Sequence, residues 1–592
     1  MTIDPDQVAR ALDGSDAAIA SDDAPPAGQG PADPMDDFGP SELAGEDASV
    51  DAGVVRRCAA FDHSDTDNAR RLLAHFGADL VVVAQEGVAG GDWASWSGTH
   101  WDLAGGAAGA ARIAQRLGGR IALEAACLEH TPQEAEARSA ARGFSRDDKS
   151  EAASSARAAA RDAEKALKAR RTARWRFAVT SKNVGRMRAT LEAAAPHVRR
   201  PSEDFNADPH LVACATHTLR FVEAGADPDT DGRTLLWRID ACQGHRREDL
   251  ITACVPYAWT AAPANAAALD LAGLDALPAT LSPKWTAFLT RLLPDEHVRR
   301  TVRAYCGASL LNVPLQRIMF HYGAGANGKS VFLETLTRVL GESFAIGLPP
   351  ESITGEGQRG AGAASPDIAR LFGKRMVRVL EMPEGKPLHE DLVKRLTGGE
   401  KFPVRSLFKG YFEFVNRAKP HMSGNGFPTI DGTDHGIWRR MLVVHWGVTI
   451  PEGERREFEE VVSEFVAEGE GILVWLAAGA LDFLQGGLPI APAIFAATEQ
   501  YRRDMDPIGE FLTACVREEA GGAVQARSMH RAYVAWSEAN ARRAKSETKF
   551  GKELSKRLTR EARKGVNYYL DVILHDVPTP PPPDAPPIGD DW

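Results

Sequence analysis

Residues 323–330 read Gly323-Ala324-Gly325-Ala326-Asn327-Gly328-Lys329-Ser330, a Gly-x4-Gly-Lys-Ser spacing whose residue types suit a chain of phosphates. Glycines let successive backbone N–H groups converge on one point, and a helix N-terminus behind them adds partial positive charge. The Lys329 ammonium can reach β- and γ-phosphates, and the Ser330 hydroxyl can ligate Mg2+. Breaking a phosphate bond asks for more: a carboxylate to organise metal and water, a polar group near the γ-phosphate, and an arginine from elsewhere. Glu381, ending the run Arg375-Met376-Val377-Arg378-Val379-Leu380-Glu381, is the candidate carboxylate, with Glu384 on the adjoining turn as a further metal ligand. A surface glutamate at a strand end is the plain alternative. Asn425, in Pro420-His421-Met422-Ser423-Gly424-Asn425, is the candidate amide, although Gly-Asn-Gly is also ordinary turn chemistry. Arg440, with Arg439 as its rival, precedes the apolar run Met441–Val444 and is the candidate arginine for a neighbouring subunit's site. A structural salt bridge is the competing role. The expected ligands are a nucleoside triphosphate and Mg2+, with the base unspecified.

These side chains need elements that aim them. Ile318–Tyr322 is short, apolar and aromatic, the form of a buried strand, and Val331–Leu340 has helical periodicity closing on Gly341. Alternating strands and helices continue to about residue 450, the α/β pattern of a nucleotide-binding core. Between Glu381 and Asn425 lies a basic segment, Lys394 to Lys409, interleaved with aromatics and interrupted by Gly398-Gly399. It has the form of a hairpin able to touch a phosphate backbone through Lys394, Arg405 and Lys409. A solvated loop fits the composition equally well.

Composition bounds the rest. A chain of 592 residues should hold several domains, and no apolar run approaches the length a membrane helix needs. The seven cysteines are odd in number and never spaced Cys-x-x-Cys, which predicts free thiols in a reducing cytoplasm rather than disulfides or a zinc site. The formal charge of −11 is concentrated at one end: residues 1–55 hold thirteen carboxylates and one arginine. Residues 1–60 therefore read as a disordered acidic tail, and the body is near neutral. Leu80–Ala84 is strand-like, and Trp93, Trp96 and Trp101 among glycines form an aromatic β-hairpin pattern. Residues 131–195 are rich in Ala, Arg, Glu and Lys and predict long helices. Within them, Lys168 to Arg176 is a basic run that reads as a solvated helix face in preference to a nucleic-acid contact. Helices resume from Glu454 to Leu484, a helical module spans about 490–576, and residues 577–592 form a Pro-rich tail.

The order and wording of these segments resemble superfamily 3 helicases, specifically the C-terminal helicase portion of phage and plasmid primases related to the poxvirus primase-helicase NTPase. The resemblance rests on Gly325-Ala326-Asn327-Gly328-Lys329-Ser330, Phe372-Gly373-Lys374-Arg375, Leu396-Thr397-Gly398-Gly399-Glu400, Asn425 followed by Pro428, and Trp438-Arg439-Arg440. Upstream it includes Thr66–Leu72, Trp96 and Trp101, Asp204–Pro209 and His245–Thr252. It implies a P-loop NTPase core of AAA+-like type at 291–486, a mixed α/β N-terminal domain at 61–290, and a helical, winged-helix-like C-terminal module. It also implies ATP as substrate, single- and double-stranded DNA as partners, and self-association into a ring, by resemblance a hexamer, with no membrane partner. Leu380 departs from the family, where a small polar or second acidic residue is usual, and the helices at about 131–175 look like an insertion. Primase activity is not expected here, since about sixty tail-like residues precede the first match, without a paired-carboxylate strand motif or zinc-ligand spacing. Two other functions remain open from the residues: a protein-loading ATPase that does not unwind, and a DNA-binding replication protein that does not hydrolyse nucleotide.

Overall fold

The computed structural model describes residues 50–84, 91–226, 235–261, 268–275, 277–355, 366–405, 411–430 and 435–578. Most of the predicted acidic tail and nearly all of the Pro-rich tail lie outside these residues, as does Lys409. Part of the predicted tail is structured: Ala52–Cys58 is a helix capped by the Asp51 carboxylate, and Val54, Val55 and Cys58 are buried.

Ser64 accepts a hydrogen bond from the Asp67 N–H and starts helix α1 (Asp65–Phe76). Strands β1 (Leu80–Ala84), β2 (Asp92–Trp96) and β3 (Trp101–Asp102) then form an antiparallel meander, with Trp96 opposite Trp101 as the aromatic pattern predicts. Helices α2 (Gly106–Glu124), α3 (Pro132–Arg142), α4 (Glu151–Thr180) and α5 (Val184–Ala194) follow, and β4 (Arg199–Pro201) adds parallel to β1. The helices predicted for 131–195 are therefore present. They are tied in by Glu124, fully buried, whose carboxylate accepts from Arg71 Nε at 2.9 Å and from Arg174 of α4. Arg71 also donates to the carbonyls of Cys58, Phe61 and Asp62, so one buried anion organises two arginines and three chain segments.

A second sheet has the order β8-β5-β6-β7-β9, from β5 (Leu211–Cys214), β6 (His217–Ala226), β7 (Leu235–Gln243), β8 (Cys254–Val255) and β9 (Ala268–Asp270). It shares one apolar core with α6 (Pro283–Leu292), α7 (Glu296–Gly307) and the sheet that follows. That third sheet is wholly parallel, in the order β11-β12-β15-β10-β16. Its elements are β10 (Ile318–Tyr322), α8 (Lys329–Leu340), β11 (Ala345–Leu348), β12 (Met376–Val379), α9 (Glu390–Gly398), β15 (Lys419–Gly424) and β16 (Met441–His445). Two separate apolar clusters cover its faces, as a parallel sheet requires. An antiparallel hairpin, β13 (Lys401–Arg405) and β14 (Tyr411–Val415), projects between α9 and β15.

Residues quoted for the resemblance meet at the junction of these sheets. Asn206 Oδ1 accepts from the Thr252 N–H at 3.1 Å and from Arg375 Nη2 at 3.2 Å, while Arg375 Nη1 donates to the carbonyl of Leu310. Phe372-Gly373-Lys374-Arg375 is thus a structural tie between the parallel sheet and the N-terminal region.

Helices α10 (Phe458–Val466), α11 (Gly469–Gly486) and α12 (Pro492–Asp504) lead to the last unit. It comprises α13 (Pro507–Cys515), β17 (Val516–Gln525), α14 (Ala526–Ala539), α15 (Glu547–Leu554), β18 (Arg560–Arg563) and β19 (Val566–Leu574). The expectation of a helical module over about 490–576 needs correction, because β17 and β18 both pair with β19 in an antiparallel sheet. Gly521-Gly522 disfavours helix in β17, and the aromatic strand β19 offers it a partner. All seven cysteines are free thiols, and among the described residues no helix is long and apolar enough to cross a membrane.

Glu124 generates a direct test. Glu124→Gln keeps the shape but leaves Arg71 and Arg174 buried without an anion, and should cost about 3–5 kcal/mol of stability. Thermal or denaturant unfolding of the full chain should register it, and an unchanged midpoint would contradict the role given to this carboxylate.

Candidate functional site

In a parallel sheet all strand C-termini lie on one edge, and that edge is where open α/β sheets form crevices. Strand β10 ends there at Tyr322, in register with Gly424 of β15 and His445 of β16. The chain then turns through 323–328 into α8. A Cβ at Gly323 would collide with the Trp446 carbonyl oxygen, so the close approach requires glycine. Gly328 precedes the helix at φ +81°, with Phe288 and Leu292 of α6 filling the space a side chain would need.

Lys329 is only 5% exposed, and its ammonium has three acceptors. Nζ donates to the Gly323 carbonyl at 2.7 Å, Asn327 Oδ1 at 2.9 Å and Asn425 Oδ1 at 3.2 Å. Burial pushes its pKa down to about 8. Asn327 has an assignable job, because its Nδ2 donates to the Trp446 carbonyl at 3.1 Å while its Oδ1 takes the lysine. Ser330 is exposed on the first turn of α8, and so are Ala324, Gly325 and Ala326 of the loop.

The carboxylates come from the neighbouring strand ends. Strand β12 stops at Val379; Leu380 and Glu381 lie just beyond it, Glu381 exposed with φ +56°. The Met382 N–H donates to the Ser423 carbonyl at 2.8 Å, which sets Glu381 beside the end of β15. Glu384 packs so closely on Gly426 that a Cβ there would overlap its side chain, bringing this second carboxylate next to Asn425. Lys329, Glu381, Glu384 and Asn425 therefore gather at one edge. Ser330, Glu381 and Glu384 all offer hard oxygen donors, the type Mg2+ takes.

The two arginines lie at the other edge. The Ile318 N–H at the start of β10 donates to the Arg440 carbonyl at 2.7 Å, so Arg439 and Arg440 are separated from their own loop by the length of a strand, about 16 Å. Arg440 is 6% exposed, and its guanidinium donates to Thr397 Oγ1 at 2.9 Å and the Gly436 carbonyl at 2.7 Å. Arg439 is exposed. The basic segment also divides. Lys394 belongs to α9, where it pairs with Glu390 at 3.7 Å, and Gly399 in the left-handed conformation ends that helix instead of turning a hairpin. Arg405 ends β13, and the hairpin's turn lies outside the described residues.

Sequence reasoning missed a buried pair beneath the loop. Trp446 Nε1 can only donate, so His321 Nδ1 accepts it at 3.1 Å; His321 Nε2 then carries the proton and donates to His421 Nδ1 at 3.2 Å. Both imidazoles are fully buried, and burial lowers their pKa values, His421 to about 3, so both are neutral. The signal was present as two histidines inside otherwise apolar strands, but their partnership depends on β10 and β15 being neighbours.

Comparison with known proteins gives two family matches, "D5 N terminal like" over residues 69–294 and "Poxvirus D5 protein-like" over residues 503–570. A predicted helicase of Acanthamoeba polyphaga mimivirus is 29% identical over 159 residues, covering 26% of this chain and 16% of that protein. A predicted primase of African swine fever virus is 24% identical over 280 residues, covering 43% of this chain and 29% of that protein. The chain thus spans less than a third of either relative's length. Among solved structures, the C-terminal region of NrS-1 aligns at 13% identity and TM-score 0.31, covering 50% of this chain and 75% of that one. JCV helicase aligns at 15% and 0.21, covering 39% and 60%. The two matched segments lie in order on either side of the loop-bearing sheet, and together with the viral helicase and primase relatives they support a likeness to the D5-like primase-helicase family.

Proposed function

We propose that the protein is an ATP-driven DNA helicase of replication, with a P-loop core formed by the parallel sheet and working as an oligomeric ring. The observation that carries the reading is the convergence on one sheet edge of Lys329, held by three acceptors, with Glu381, Glu384 and Asn425. The helix–strand–helix–helix–strand–strand order of the last unit supports a winged-helix module.

In this mechanism Lys329 and the loop N–H groups bind the β- and γ-phosphates. Ser330, Glu381 and Glu384 would hold Mg2+, which supplies neutralisation of phosphate charge. Glu381 orients a water and takes its proton as the water oxygen bonds to the γ-phosphorus and the bond to ADP breaks. Asn425 turns Oδ1 toward Lys329, which leaves its amide N–H2 to contact the γ-phosphate. Arg439, exposed and a strand's length from its own loop, serves the site of an adjacent subunit; Arg440 holds Thr397 in place. The β13–β14 hairpin, with Arg405 and Lys409, contacts the DNA strand.

Lys329→Ala should reduce ATP hydrolysis about 100-fold or more, the scale of losing a key transition-state donor. In the intact protein, single-stranded DNA should stimulate hydrolysis, and Arg405→Ala should lose unwinding while retaining ATPase. Hydrolysis indifferent to DNA would favour a protein loader, and an absence of turnover would favour a non-hydrolysing DNA-binding protein.

The lowered Lys329 pKa has a pH consequence. Without nucleotide the ammonium loses its proton near pH 8; phosphate contact raises that pKa, so binding at pH 8–9 takes up a proton and affinity falls as pH rises through this range. Calorimetry in two buffers of different ionisation heat should detect the uptake, and equal heats would refute it.

Arg439→Ala should lower hydrolysis about 1,000-fold or more in the assembled protein with nucleotide affinity retained. Mixing Arg439→Ala with Lys329→Ala subunits should restore part of the activity, because some interfaces then combine an intact loop with an intact arginine. A mixture as inactive as either parent would exclude a role across the interface.

A further inference from the structure

The inserted helix α4 carries a surface that the proposed mechanism does not use. Lys165, Lys168, Thr172 and Arg176 are exposed and spaced by three or four residues, so they form one stripe. At 1.5 Å per residue it is about 16 Å long. Ala169 and Ala173 lie between the cations, and Arg186 and His63 from neighbouring elements complete a groove of about 680 Å³. None of the residues lining it is acidic. The exposed His63 ring lies flat on Phe177, centroids 4.2 Å apart and planes within 5°. A planar ring thus stands at the edge of a basic groove.

Charge on α4 is segregated. Arg170 faces α3 and pairs with Glu134 at 2.5 Å, while Arg174 faces inward to Glu124. Lys165 reaches only Asp162, at 3.7 Å with both side chains more than three-quarters exposed. Lys168 and Arg176 have no carboxylate within 4 Å among the described residues. Ordinary solvated helix faces balance their charges with i, i+4 partners; on this face only the loose Lys165–Asp162 contact does so.

We propose that this groove is a second binding track for single-stranded DNA, with Lys165, Lys168, Arg176 and Arg186 on phosphates and His63 as a stacking platform for a base. Cations tracking a backbone beside an aromatic ring are the general chemistry of sequence-independent single-strand binding. The inference rests on the reading of the protein as one that handles DNA, and it assigns a ligand to the inserted helices.

The test uses the full chain and a fluorescent oligothymidylate, with anisotropy titrations across a salt series. Lys168→Glu/Arg176→Glu should weaken binding and reduce the magnitude of the salt slope of log K by about 1.4, about 0.7 for each lost phosphate contact on a single strand. Arg142→Glu/Lys149→Glu, the same charge change at exposed positions outside the groove, should leave the slope unchanged, and ATPase without DNA should be unaffected in both. His63→Ala should weaken binding without altering the slope. Equal slopes in the wild type and the groove variant, or preferential loss of duplex binding, would overturn the proposal. The two readings fail separately: a groove variant that binds DNA normally sinks only this surface, whereas an intact protein that needs the groove for binding but shows no DNA-stimulated turnover sinks only the helicase.

Discussion

Every strand of the central sheet points the same way, and that constraint sorts the chain's chemistry onto two edges. Strands β10, β12 and β15 deliver the lysine loop, the carboxylate turn and the Asn425 amide to a common C-terminal edge, although together these segments span about a hundred residues of sequence. The same polarity puts Arg439 and Arg440 at the opposite edge, before β16. These two arginines therefore stand a strand's length from the loop of their own chain.

The loop in turn depends on what lies beneath it. Trp446 links two layers: its indole donates downward to His321, and its backbone carbonyl accepts Asn327 from above. Asn327 then presents Oδ1 to Lys329. A neutral histidine pair suits this position because its hydrogen bonds run in one fixed direction and bury no charge. Support of this kind holds a buried ammonium on three uncharged oxygen acceptors.

Local patterns were legible in sequence; adjacency was not. The strand–loop–helix at 318–340 and the long helices after 131 were readable because period and composition are local properties. Glu384 could be named as a candidate, yet its place beside Asn425 depends on Gly426 having no side chain. The sequence put Arg440 ahead of its neighbour Arg439 as the candidate arginine for another subunit's site. Packing separates them, because one guanidinium is held by Thr397 and Gly436 while the other is exposed. The Gly398-Gly399 pair was readable as a turn but not as the end of α9, since both uses exploit the same freedom of glycine. Strand β17 escaped detection because its pairing with β19 spans about fifty residues and its own residues carry little β-propensity.

The inserted helices shift the balance between structure and function in the N-terminal region. An appendage would be free to drift in sequence, but Arg174 of α4 is locked to Glu124, and Glu124 also fixes Arg71 within a segment that resembles the family. Two arginines share one buried carboxylate, and backbone carbonyl oxygens take their remaining N–H groups. Arg174 reaches inward while Arg176, two residues on, points outward, because residues two apart on a helix face different sides. Anchoring one face is what allows the other to present Lys168 and Arg176 at fixed spacing. A surface meant only for solubility has no need of such an anchor.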